Sequence, residues 1–123
     1  MEPMSHLFVY GTLLPGEVRW AHLAPFVTDD GIPDTAAGEL FDTGLGYPAA
    51  RFGEPHRIVG RTFALVGETL DDALARLDEI EGAVAGLYRR TRVVTHRGVT
   101  AWAYEYGGGL ALERIASGSW QHR

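Results

Sequence analysis

Apolar residues in this chain come in short runs cut by glycine and proline, a pattern that suits strands and tight turns more than long helices. "HLFVY", His6 to Tyr10, is short, apolar and aromatic and stops at Gly11, so it reads as a strand buried on both faces. "LPGEVRWAHLAPFV" is punctuated by Pro15, Gly16 and Pro25, leaving room for one short helix around Val18 to Leu23. "GELFDTGLGYPAARFGEPH" reads as one strand near Gly38 to Phe41, followed by a loop dense in glycine and proline. "IVGRTFALV", Ile58 to Val66, is a strand in which Val59, Phe63 and Leu65 share one parity and hence one face.

Thr69 to Glu81 is the main predicted helix. Thr69 suits the N-cap, Asp71 and Asp72 suit the positive dipole end, and Gly82 suits a helix stop. "RRTRVVTHRGVTAWAYEY" then predicts a hairpin with "HRG" at its turn, its second arm ending at Gly107 to Gly109. The tail "LALERIASGSW" is expected to form a turn of helix before Trp120. Some six strands around one main helix make an α+β class: a small mixed β-sheet, curled toward a barrel, with flanking helices. No repeat or linker interrupts the 123 residues, so residues 1–123 are expected to form a single domain.

One position breaks the helix pattern. With Leu70 at zero and 100° per residue, Leu74 falls at about 40°, Leu77 at about 340° and Glu81 at about 20°, inside the apolar stripe. Glu79 lies at about 180°, a solvated charge, and Asp78 at about 80°, on the boundary and expected to be solvated too. A carboxylate held in an apolar stripe near a helix C-terminus has its charged form disfavoured twice, by burial and by the dipole. Such a shift brings it toward the range in which it can accept and return protons near neutral pH. Two structural alternatives stand beside that reading: the helix frays before Glu81, or Glu81 pairs with an arginine just downstream.

Composition narrows the chemistry. A formal charge of −5 argues against nucleic acid as a partner. The chain has no cysteine, and all eleven basic residues are arginine, which removes thiolate chemistry, Schiff bases and lysine-bearing phosphate loops. The N-terminal residues do not read as a signal peptide, and no apolar run is long enough for a membrane helix, so a cytoplasmic location without membrane attachment is expected. The five histidines are scattered, which predicts no metal site and no cofactor. The serines lack a nucleophile-elbow setting.

After the first strand, "VYGTLL" places Gly11 where the chain can turn and a ligand can approach the backbone. The amides of Gly11, Thr12 and Leu13 can converge on a carboxylate, although a plain structural turn reads the same way. Tyr47 and Pro48 shape a loop of the kind that can line a pocket. Tyr88 and Tyr104 can give phenol groups to a ligand, although aromatic residues beside strands usually pack, and Trp120 reads as a packing anchor for the tail.

"FVYGTL", "GYPAA", "VGRTFAL", "LDEIEG" with "GLYRR" after it, and "IASGSW" together resemble the γ-glutamyl cyclotransferase-like, or AIG2-like, family, in family order from about Phe8 to Trp120. The resemblance implies a small mixed-sheet barrel with a pocket between the "YGTL" loop and a glutamate. It implies a transferase-type enzyme that releases an amine or amino acid from a γ-glutamyl group with formation of 5-oxoproline. By motif, the catalytic glutamate is Glu81 and acts as general acid/base. Substrate binding falls to Tyr10, Gly11, Thr12 and Leu13, with Pro48 and Tyr88 as further candidates. The expected partner is a small γ-glutamyl molecule, and the chain is expected to be a monomer or weak homodimer. The competing reading is a non-catalytic module that binds a γ-glutamyl or related carboxylated metabolite in the same pocket.

Overall fold

The structure, a computed structural model, describes residues 5–44, 46–65, 70–85, 88–106 and 113–122; among these, the side chains at 54–55, 70–71, 80–85, 88–89 and 106 lie outside the description. Six strands form one mixed sheet: β1 (His6–Val9), β2 (Ile32–Asp42), β3 (Pro48–Ala64), β4 (Tyr88–Val94), β5 (Thr100–Tyr106) and β6 (Glu113–Arg114). Their order across the sheet is β4-β5-β1-β3-β2-β6. β1 runs parallel to β5 and antiparallel to β3, so the first strand in sequence lies in the middle of the sheet. Helix α1 (Trp20–Leu23) continues into a 3-10 turn, Ala24–Phe26, and α2 (Leu70–Ala85) is the long helix.

Alternation along β1 explains why it is apolar from Leu7 to Val9. Leu7 and Val9 join Phe63, Leu65, Leu23 and Leu77 in a core between sheet and helices. Phe8 and Tyr10 point the other way, into a second core with Ala36, Leu40, Ile58, Ala101 and Trp120. Small residues on that inner face, Ala50, Ala101 and Ala103 among them, let the sheet curl tightly. The curl brings the β4–β5 turn against β2, where the His96 amide donates to the Thr35 carbonyl at 2.8 Å. Likewise the Phe52 amide of β3 donates to the Glu105 carboxylate of β5 at 3.0 Å. The result is a sheet closed nearly into a barrel.

Several expectations change. The glycine- and proline-rich stretch after Phe41 is not all loop: from Pro48 it is strand β3, and Ala49 and Ala50 are fully buried against β2. The ladder absorbs the irregular residues as a register shift at Ala37/Gly38. Val59 keeps its parity with Phe63 but is exposed, because it lies outside the covered core. The tail forms strand β6 and a turn rather than helix, since Phe41 and Asp42 offer it an edge to pair with. Helix α2 does not stop at Gly82 but runs four residues past Glu81 to Ala85. The proposed Thr69 cap and Gly107 to Gly109 lie outside the described residues. Among the described residues, no helix is long and apolar enough to cross a membrane.

Candidate active site

β1 is four residues long between two longer neighbours, so the sheet opens where it ends. The chain turns there at once: the Leu14 amide donates to the Gly11 carbonyl at 3.0 Å, closing a four-residue turn with no positive φ at Thr12 or Leu13. After Pro15 and Gly16 the chain doubles back, and the Arg19 amide donates to the Thr12 carbonyl at 2.8 Å. Among the described residues, the amides of Gly11, Thr12 and Leu13 have no acceptor. Three main-chain donors without acceptors, in buried residues, form the kind of concavity that holds an anion.

These residues line a cleft. Leu7 to Tyr10, Tyr47, Pro48 and Tyr104 line it as well, together with Arg19. The cleft has a cavity volume of about 30 Å³. Gly11 is required here by a neighbour rather than by its dihedrals: a Cβ would lie 2.7 Å from Cγ of Pro48. The Tyr10 hydroxyl donates to the Tyr104 carbonyl, tying β1 to β5 beneath the opening. The Tyr104 hydroxyl in turn donates to Asp78 Oδ1 of α2 at 2.7 Å, and Arg90 Nε reaches the same oxygen at 3.3 Å. Asp78 is exposed, as the helical wheel suggests, and its carboxylate also fastens α2 to the cleft wall. Among the described residues, no three of His, Asp and Glu come together as a metal ion would require.

Of the seven sequence-predicted site residues, five, Tyr10, Gly11, Thr12, Leu13 and Pro48, line this one cleft. The side chains of Glu81 and Tyr88 lie outside the described residues, and only their backbones are placed, in α2 and at the start of β4. Continuous helix through Glu81 removes the fraying alternative. It also weakens the dipole argument, since that field is confined to the last turn and the helix end is now at Ala85. Glu81 follows the fully buried Leu77 by four residues, and Asp78 by three.

Residues 7–122 match the model of the family described as gamma-glutamyl cyclotransferase, AIG2-like. The chain belongs to this family. Its activity is accordingly of the γ-glutamyl cyclotransferase kind. A curated relative, the gamma-L-glutamyl-butirosin B gamma-glutamyl cyclotransferase of Niallia circulans, is 33% identical over 128 residues, covering 98% of this chain and 78% of that one. Among solved structures, an uncharacterized protein of Pyrococcus horikoshii has a TM-score of 0.74 at 26% identity, covering 95% of this chain and 90% of that one. YkqA of Bacillus subtilis has a TM-score of 0.71 at 24% identity, covering 96% of this chain but 40% of its own, and supports the fold alone.

Two features of this cyclotransferase-family cleft escaped the sequence reading. Arg19 is the one charged side chain among the described lining residues, and it stands seven residues from Thr12 across a Pro-Gly turn that no local periodicity connects. The Asp78–Tyr104 bond joins residues 26 apart on different elements. A basic residue in the short loop after the first turn was the available signal for the first; the second had none.

Proposed function

We propose that this chain converts a γ-glutamyl amide into 5-oxoproline and a free amine or amino acid, with Glu81 as general acid/base. The observation that carries the reading is the set of three acceptor-free amides at Gly11, Thr12 and Leu13 lining one cleft. A curated relative named for a γ-glutamyl substrate supports the substrate class. In this reading the amides grip the α-carboxylate and fold the glutamyl chain, so that its α-nitrogen meets its own γ-carbonyl. Glu81 takes a proton from the α-ammonium. The freed nitrogen pair attacks the γ-carbon and closes the five-membered ring. The bond from that carbon to the leaving nitrogen then breaks as Glu81 returns the proton to it, and the second proton of the ring nitrogen passes to the departing amine, leaving a neutral lactam and an ammonium. Nothing is oxidised or reduced, and the reaction needs no second substrate.

Incubation with a panel of γ-glutamyl amines and amino acids, with 5-oxoproline as the readout, tests the reaction. Glu81→Gln keeps the shape and removes the proton acceptor, so turnover is expected to fall by about 10²-fold or more. A fully active variant would show that Glu81 has another role. The binding-module reading predicts instead that γ-glutamyl compounds raise the melting temperature while no product forms.

A further inference from the structure

Arg19 is a half-buried guanidinium lining the cleft, and among the described residues none compensates its charge. Its Nη1 lies 3.5 Å from the Thr12 hydroxyl, and its guanidinium carbon 5.9 Å from the centre of the Tyr47 ring. It makes no ion pair with any described residue. The nearest acid in sequence, Glu17, is turned to other partners: the Trp120 indole donates to Glu17 Oε1 at 3.2 Å, and the Gln121 side-chain Nε2 to Oε2 at 3.5 Å. The tail thus holds the obvious counter-charge away from the cleft. Ring contact and the turn bond at Thr12 orient the guanidinium beside the acceptor-free amides, and a carboxylate has two oxygens and lone pairs enough for both sets of donors.

We infer that Arg19 is a specificity-determining residue that pairs with the substrate's α-carboxylate, completing the anion site begun by the Gly11–Leu13 amides. The inference rests on the γ-glutamyl reading of the cleft and adds to it a requirement: the glutamyl group must carry a free, ionised α-carboxylate, so γ-glutamyl compounds amidated or esterified there are excluded.

Affinity for L-5-oxoproline, which the proposed reaction does not consume, and for its carboxamide tests this by titration calorimetry on wild type, Arg19→Gln and Arg19→Lys. The wild type is expected to prefer the carboxylate. Arg19→Gln is expected to weaken carboxylate binding roughly ten- to a hundredfold and leave carboxamide binding as it was, with Arg19→Lys in between. Unchanged carboxylate affinity in Arg19→Gln, or equal weakening of both probes, overturns the inference. Failure of the catalytic reading looks different: the carboxylate preference and its loss in Arg19→Gln persist while γ-glutamyl amides give no 5-oxoproline. A wild type that turns over γ-glutamyl amides and their α-carboxamides equally well also overturns the role of Arg19 without touching that of Glu81.

Discussion

Pro48 sits on Gly11 so closely that the cleft depends on a missing methyl group. Gly11→Ala places a Cβ 2.7 Å from the proline ring, and either the turn or the β2–β3 loop must move. Overpacking of this kind costs about 1–3 kcal/mol, and the displaced amides are expected to bind anions poorly; urea unfolding and the 5-oxoproline titration measure the two effects separately. Asp78 illustrates how a boundary position is decided. At the edge of the apolar stripe its carboxylate can face water or reach sideways, and Tyr104 and Arg90 give it partners on the sheet. Tyr104→Phe removes one of those partners while keeping the ring, and a loss of about 0.5–1.5 kcal/mol in urea unfolding is expected. The tyrosine's packing was legible in the sequence because it falls in a strand arm. Its hydroxyl's partner was not, because hydrogen bonds between distant elements leave no trace in periodicity.

Helix α2 shows both the strength and the weakness of reading periodicity. Its apolar stripe is where the wheel puts it: Ala73 and Leu77 are fully buried and Leu74 packs against the same core, while Glu79 faces solvent. Leu77→Ala is expected to lose about 2–5 kcal/mol in urea unfolding, as a fully buried leucine does when it leaves a cavity. The helix end, by contrast, was misplaced, because glycine lowers helix propensity by only about 1 kcal/mol and packing can outweigh it. Similar reasoning covers β3, where glycines and prolines suggested a loop but two buried alanines and a partner strand made a ladder. Tail docking is equally non-local. Gly118 adopts φ +69° and its carbonyl accepts from the Val59 amide at 2.7 Å, while an added Cβ would lie 2.1 Å from the Arg57 carbonyl. Gly118→Ala is therefore expected to detach the tail locally. The checks are faster amide exchange at Val59 and a shift in Trp120 fluorescence.

At the scale of the whole molecule, β1 belongs to both cores: Leu7 and Val9 to one, Phe8 and Tyr10 to the other. Neither core can come apart without exposing the strand they share. Unfolding followed by tryptophan fluorescence and by far-ultraviolet circular dichroism is expected to give coincident transitions; separated midpoints would show that the two cores are independent. Because the cleft opens where this shared strand ends, a ligand bound there is coupled to the entire fold. At a hundred times its Kd, such a ligand is expected to add about 2.7 kcal/mol of stability.

The chain's own pattern determined most of its strands, its main helix, the buried first strand and the turn that follows it, because each of these depends on neighbours within a few residues: alternation, a 3.6-residue stripe, glycine after an apolar run. It also gives Glu81 the helical-wheel angle of that stripe and supplied the motifs that mark the family. What only tertiary structure decided was who meets whom. Pro48 over Gly11, Arg19 beside Thr12 with Glu17 drawn off by the tail, Asp78 under Tyr104, and a loop turned into strand all depend on contacts between segments far apart in sequence. Such contacts are fixed by packing and by the pairing of backbone groups after the sheet has curled, and local preference carries no record of them.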